Sequence, residues 1–334
     1  MLSARLPLAL ENGSFVVPDT GDILVFGPSV EDDLSDLPPD QVLILDDFFP
    51  DCETWKKRGY RVVQDLPETA AASVICMPRA KNLARHWLAQ ACAVTTGSIA
   101  IDGAKTAGID SIYKACKKLT AVSETQSRAH GKFFTLPDNS RKTAFTDWLA
   151  APAEGPEGFI TAPGVFSEAK IDKGSALLAS VLPEKPGRRV ADLGAGWGYL
   201  SAQILKSDAV QNLHLIEASH TALACARRNI TDPRAEFHWN DARQVKLSGP
   251  VDTVITNPPF HTGRAAEPAL GQAFLTNAAK LLTPKGTLLV VANQGLPYEH
   301  TLQELFRQVD QIALENGFKV LRALAPLAKP RPTR

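Results

Sequence analysis

No Cys-x-x-Cys pair, no long apolar run and no excess of either charge occur in this 334-residue chain. The five cysteines, Cys52, Cys76, Cys92, Cys116 and Cys225, are odd in number and widely spaced, and none has a His partner nearby. That pattern excludes a disulfide framework and a Cys–His zinc site, so no bound metal is expected. No apolar stretch approaches the roughly 20 residues that span a bilayer, so no membrane partner is expected. Residues 1–10 are too short, and too interrupted by Arg5 and Pro7, for a secretion signal; a cytoplasmic protein is the expectation. The missing net charge excludes less than it first suggests. The 36 basic and 36 acidic side chains are unevenly spread: net −9 over residues 1–70, +6 over 71–150 and +3 over 151–334. Nucleic acid therefore stays among the possible partners.

At about 100–200 residues per domain, the length predicts two. The Pro/Gly-rich stretch at 150–158 divides the chain into residues 1–150 and 151–334. Both parts alternate short β-branched runs with helical ones, which predicts α/β with a largely parallel sheet. In the second part, strands are expected at 189–192, 213–216, 235–239, 251–256, 287–291 and 318–322, with helices over 219–229 and 265–282. The halves resemble distant copies. Ser73-Val-Ile-Cys-Met-Pro78 leads to a helix and a strand starting at Gly97, as Thr253-Val-Ile-Thr-Asn-Pro258 leads to a helix and a strand starting at Gly286. On that match Met77 stands where the second copy has Asn257.

The run Asp192-Leu-Gly-Ala-Gly-Trp-Gly198 sets a glycine turn between a strand and a helix, where a ligand can lie against bare backbone. A dinucleotide fingerprint fails on register, since it needs Gly or Ala where Tyr199 stands. Asp192 would also repel a pyrophosphate. A cationic ligand reverses that sign, and S-adenosylmethionine carries a sulfonium and an ammonium. Glu217, about 20 residues on, is placed for the ribose hydroxyls, and Asp241 for the adenine amino group; together they fit one crevice at the carboxyl ends of successive strands. Asn257-Pro-Pro-Phe260 closes the fourth strand. Two prolines leave only carbonyls and the Asn side chain as polar groups, a turn suited to accepting an NH₂ group. Asn257 and Pro258 would hold the nitrogen, and Phe260 would stack on a planar base.

These two motifs resemble a class I methyltransferase acting on nitrogen. Further runs resemble the ribosomal RNA small-subunit methyltransferase C family and its large-subunit relative G, which methylate guanine N2: Pro163-Gly-Val-Phe-Ser167, Ile171-Asp-Lys-Gly-Ser175, Asn257-Pro-Pro-Phe-His-Thr-Gly263, Val291-Ala-Asn293 with Leu296-Pro-Tyr298, and Phe318-Lys-Val-Leu-Arg-Ala323. The resemblance is close over residues 160–325 and architectural over the first half. It implies two tandem Rossmann-like domains, the N-terminal one degenerate and serving RNA recognition. It implies guanine held by Asn257, Pro258 and Phe260, and cofactor held by Gly194, Gly196, Glu217 and Asp241. Asp192, Ala195, Gly198, Ala218, Ala242 and Asn257 belong to the same cofactor set, with Phe166, Asp172 and Ser175 closing over the methionine end. The expected partner is ribosomal RNA or a ribosomal subunit. Competing readings are a protein glutamine methyltransferase, an adenine or cytosine amino methyltransferase, and a non-catalytic RNA-binding assembly factor; Asn257 argues against the last. His261, the basic run Lys114-Ala-Cys-Lys-Lys118, Trp197 and the 329–334 tail carry no firm assignment.

Overall fold

The computed structural model describes residues 2–136, 143–259 and 268–327. Phe260, His261 and the 329–334 tail lie outside the described residues. The chain forms two compact units, Met1–Pro152 with Ala162–Gly164, and Ala153–Thr161 with Val165–Arg334. Among the described residues no helix is long and apolar enough to cross a membrane.

The first unit runs α1 (Leu6–Glu11), β1 (Ile23–Phe26), β2 (Val42–Leu45), α2 (Phe49–Lys57), β3 (Arg61–Val63), β4 (Ala72–Cys76), α3 (Lys81–Val94), β5 (Ile99–Ala104), α4 (Ile109–Leu119), β6 (Gln126–Arg128) and β7 (Gly131–Leu136). The second runs β8 (Ala153–Glu154), β9 (Ile160–Thr161), α5 (Lys173–Ser180), β10 (Arg189–Leu193), α6 (Tyr199–Ile204), β11 (Asn212–Glu217), α7 (His220–Asn229), β12 (Ala235–Trp239), β13 (Val251–Thr256), α8 (Pro268–Leu281), β14 (Leu282–Asn293), α9 (Tyr298–Leu305), β15 (Phe306–Glu315) and β16 (Phe318–Pro326). Each unit holds one seven-stranded sheet, and the two strand orders match: β3-β2-β1-β4-β5-β7-β6 and β12-β11-β10-β13-β14-β16-β15. The first five strands of each order run parallel and the last two antiparallel. β1 and β2 are apolar without a polar break, and buried along their whole length, because both sheet faces are covered. Each buried Leu, Ile or Val stabilises by about 1.5–3 kcal/mol relative to exposure. The strand over 306–315 escapes the sequence pattern: it is an edge strand with half of its positions exposed and half polar.

The Met77 correspondence is corrected by one residue. Phe26 pairs with Ile75 in the first sheet and Leu193 with Thr256 in the second. Phe26 and Ile75 pack against α3, and Leu193 and Val254 against α8, so Ile75 matches Thr256 by alternation. Cys76, not Met77, therefore takes the place of Asn257. The shared prolines draw the two sequences into a register one residue off, and such a slip turns every side chain to the opposite face.

Two further differences distinguish the units. Gly27 follows β1 at φ 51°, as Gly194 follows β10 at φ 77°, but Trp87 lies against Gly27 where a Cβ would be. Arg5 occupies the N-cap position of α1 without a capping bond, where Asp172 caps α5, and its buried guanidinium donates to the Asp102 carboxylate (Nη2 to Oδ2, 2.8 Å) and to the Arg128 carbonyl (2.8 Å). Removing one partner of a buried ion pair strands the other charge, at a cost of about 3–5 kcal/mol. Asp102→Ala should destabilise the first unit by about that amount in a denaturant titration, while Arg5→Met combined with Asp102→Leu should recover most of the loss.

Candidate active site

β10 delivers the chain into a turn whose glycines all lie in the left-handed region: Gly194 at φ 77°, Gly196 at 57° and Gly198 at 94°. Only glycine adopts that region without steric cost. The amides of Gly194 and Ala195 donate to the Ile216 carbonyl (2.8 and 3.0 Å), which ties the turn to the end of β11. A Cβ on Gly198 would come within 2.8 Å of Ile230 Cδ1, so this glycine also lets α7 pack close. Glu217 locks the arrangement. Its Oε2 accepts from the Gly196 amide and its Oε1 from the Ser219 amide, both at 2.8 Å.

Asn257 follows β13, beside the turn. Its Nδ2 donates to Asp172 Oδ2 and Ser175 Oγ, both at 2.9 Å. A carboxylate only accepts, so the orientation of the Asn257 amide is set: nitrogen towards Asp172, oxygen away. Asp172 Oδ2 also accepts from the Ser175 amide (2.8 Å) as the N-cap of α5, so one carboxylate starts a helix and aims the Asn side chain. Asn257 Oδ1 is then buried with no partner among the described residues. Phe166, Asp172, Ser175, Gly194, Ala195, Gly196 and Asn257 meet around a cleft, together with Ser167, Trp197, Tyr199 and Leu200. Among the described residues no Lys, Arg or His lines it. Pro258 is buried at the next position, and Phe260 lies outside the described residues.

Other expected residues sit differently. Asp192 does not line the cleft; it is fully buried, accepting from Ser201 Oγ (2.7 Å), and its Oδ1 has no partner among the described residues. Burial pushes its carboxyl from the ordinary 3.8 up to about 7. Asp241 is also buried, and Arg243 clamps its carboxylate (Nε to Oδ1, 2.8 Å, and to Oδ2, 2.9 Å); the sequence spacing does not reveal that pairing. Ala218 and Ala242 present carbonyls already engaged, by Trp239 Nε1 (2.7 Å) and Asn277 Nδ2 (2.9 Å). Gly198 borders the turn on the α7 side.

Sequence reasoning missed the role of Trp197. Only 4% exposed, it donates from Nε1 to the Phe166 carbonyl (2.9 Å) and packs against Phe159 with ring centroids 5.0 Å apart. Asn229 joins in, donating to the carbonyls of Ile160 (2.9 Å) and Trp197 (2.8 Å). Phe159, Ile160 and Phe166 are thus fastened to the turn. The available signal was a bulky indole inside a turn that has no conformational need of one.

A doubly wound seven-stranded sheet, with a glycine turn after β10 and a carboxylate at the end of β11, forms the crevice in which open α/β sheets bind their ligands. The methyltransferase small domain model matches residues 157–322. A ribosomal RNA small subunit methyltransferase C from Shewanella sp. (strain MR-4) is 33% identical over 258 residues, covering 74% of this chain and 75% of that protein. The namesake from Shewanella halifaxensis is 30% identical over 273 residues, covering 78% and 79%. This chain belongs to the ribosomal RNA small subunit methyltransferase C family. Its fold matches the T. thermophilus 16S rRNA N2 G1207 methyltransferase, solved in complex with AdoMet and guanosine, at a TM-score of 0.77 and 22% identity over 96% of this chain and 93% of that one.

Asp192 yields a pH prediction. Its raised carboxyl means the folded state binds more protons than the unfolded between pH 3.8 and about 7. The associated stability is therefore complete below 3.8 and is lost as pH rises to about 7, on the order of 4 kcal/mol in all. Asp192→Asn should flatten the dependence of thermal stability on pH across that window.

Proposed function

We propose that this chain transfers the methyl group of S-adenosylmethionine to the exocyclic N2 of a guanine in small-subunit ribosomal RNA. The observation that carries the reading is Asn257 Oδ1, a buried acceptor without a partner among the described residues, on the wall of a cleft beside a glycine turn. Such an atom is costly unless a ligand donor meets it. The family supports ribosomal RNA as the substrate, and the T. thermophilus fold relative was solved with both AdoMet and guanosine.

When bound, the cofactor supplies a methyl group activated by a sulfonium. A cationic ligand fits this cleft, because Asp172 is its only charged lining residue among those described and Asp192 Oδ1 waits nearby without a donor. Gly194, Ala195 and Gly196 offer bare backbone. Glu217 meets the ribose hydroxyls with a carboxylate whose oxygens each accept more than one donor. Phe166, Asp172 and Ser175 hold the methionine end, while Ala218, Ala242 and Asp241 hold the adenine, the Asp241 carboxylate accepting alongside Arg243.

Asn257 Oδ1 and the Pro258 carbonyl accept the two hydrogens of the guanine amino group. Those bonds draw its lone pair out of conjugation and aim it, the base stacking on Phe260. The nitrogen becomes acidic only as it is alkylated, so no strong base is required. A paired guanine cannot reach Asn257, so the target is unpaired or flipped, at a cost of a few kcal/mol. The first unit grips RNA. Lys114, Lys117 and Lys118 are exposed along α4, and Lys117 and Lys132 flank the Tyr113 ring, 5.4 and 5.8 Å from its centroid. An RNA substrate of this kind sets the work in the cytoplasm.

Incubation with labelled cofactor and undermodified ribosomal RNA should give N2-methylguanosine on nucleoside mass spectrometry; label found only in protein would overturn the reading. Asn257→Ala should lower kcat about 100-fold or more with cofactor affinity by calorimetry unchanged. Replacing Lys114, Lys117 and Lys118 by Ala should weaken RNA binding and lower the salt slope by about 1 for each phosphate that is no longer neutralised.

A further inference from the structure

His214 on β11 and Glu236 and His238 on β12 share one sheet face, since His214 pairs with Glu236 and Ile216 with His238 in the parallel register. None of the three lines the cleft. Their donor atoms converge. His214 Nδ1 is 3.0 Å from His238 Nε2 and 3.2 Å from Glu236 Oε2, and His238 Nε2 is 3.9 Å from Glu236 Oε2. A tetrahedral ion with ligands at about 2.0–2.2 Å needs donor separations of about 3.3–3.6 Å. The observed triangle brackets that range. Among the described residues it is the one trio of His, Cys, Asp or Glu side chains so gathered.

We infer that His214, Glu236 and His238 form a binding site for a divalent transition-metal ion of the zinc type, which clamps the edge strand β12 to β11. Two imidazoles and a carboxylate are the donor set that favours zinc, cobalt, nickel or copper over magnesium or calcium. Asn212 Nδ2 donates to Glu236 Oε1 (2.6 Å), leaving Oε2 directed at the imidazoles, the kind of outer support that metal-binding carboxylates have. His214 Nε2 is buried without a partner among the described residues, so the polar contacts found for that ring run through Nδ1. Three protein ligands leave one position for water, and Glu236, with its side chain 53% exposed, opens the site to solvent. The clamp acts three residues upstream of Glu217, so it would stiffen the strand pair from which the ribose-binding carboxylate projects.

The test uses the full chain, without a histidine tag, stripped with a chelator and titrated with Co²⁺, then with Zn²⁺ in competition. The expected result is one Co²⁺ per chain with visible absorption of a tetrahedral site, displaced by Zn²⁺, and a thermal midpoint raised by about 4 °C or more at saturation. Because His214 is buried, the variants are placed on the rim: Glu236→Gln and His238→Gln, each checked for folding by circular dichroism. Each should bind Co²⁺ at least about tenfold more weakly and lose the thermal gain. Absence of the Co²⁺ spectrum in the parent, or unchanged affinity in both variants, would overturn the inference.

Discussion

The site depends on one strand register. Leu193 and Thr256 pair at the ends of parallel strands, and Thr256 Oγ1 donates to the Leu193 carbonyl (2.7 Å) at the point where both strands stop. Parallel direction makes both chains leave by the same sheet edge, so the glycine turn and Asn257 emerge as neighbours. The strand order reverses here, with β11 and β12 on one side and β13 and β14 on the other, which is where open α/β sheets bind their ligands. A side chain at Gly194 would project to 4.0 Å from the Asn257 carbonyl, into the space between them. Glycine keeps that gap open.

Electrostatics follows from the same edge. Asp172 and Asp192 are both carboxyls, yet their surroundings assign them different tasks. Asp172 is half-buried on the cleft wall, where its carboxylate caps α5 and aims Asn257. Asp192 is fully buried, and its ionised form lacks a counter-charge, which holds its carboxyl near 7. A cationic ligand above the turn would lower that value and draw out the charge. Burying an acid beside a cleft lined by no basic side chain among the described residues therefore makes ligand binding and ionisation mutually supportive.

Sequence pattern carried the second sheet well where strand runs are short and sharply bounded. β12 and β13 fall at the expected residues, 235–239 and 251–256, and Val251-Asp-Thr-Val-Ile-Thr256 shows why: it is a short β-branched run closed by prolines. The glycine turn and Asn257 were legible for the same reason: each sits at a strand end punctuated by residues of restricted backbone choice. What escaped depends on pairing across space. Half of the β15 positions are polar because it is an edge. The Arg243 clamp on Asp241 is a side-chain choice that spacing does not encode. His214 lies 22 residues from Glu236, a separation that becomes a contact only through the register of two strands. The Met77 match failed because proline identity outweighed the alternation that decides which face a residue occupies.

The first unit shows which parts of this architecture can be surrendered. It keeps the strand order and the buried core, so the sheet itself does not require a cofactor. Three substitutions separate it from the second unit at corresponding points. Trp87 covers Gly27 where the space beside Gly194 is open, Arg5 stands in the cap position of Asp172, and Cys76 replaces Asn257. Each acts on a different requirement: the first removes room, the second reverses the charge, the third removes the acceptor. The Arg5–Asp102 pair uses the reversed charge internally, as a structural bond that a cationic ligand could not share. A copy altered at all three points is under no constraint to preserve a cleft, and its exposed lysines are free to serve another surface.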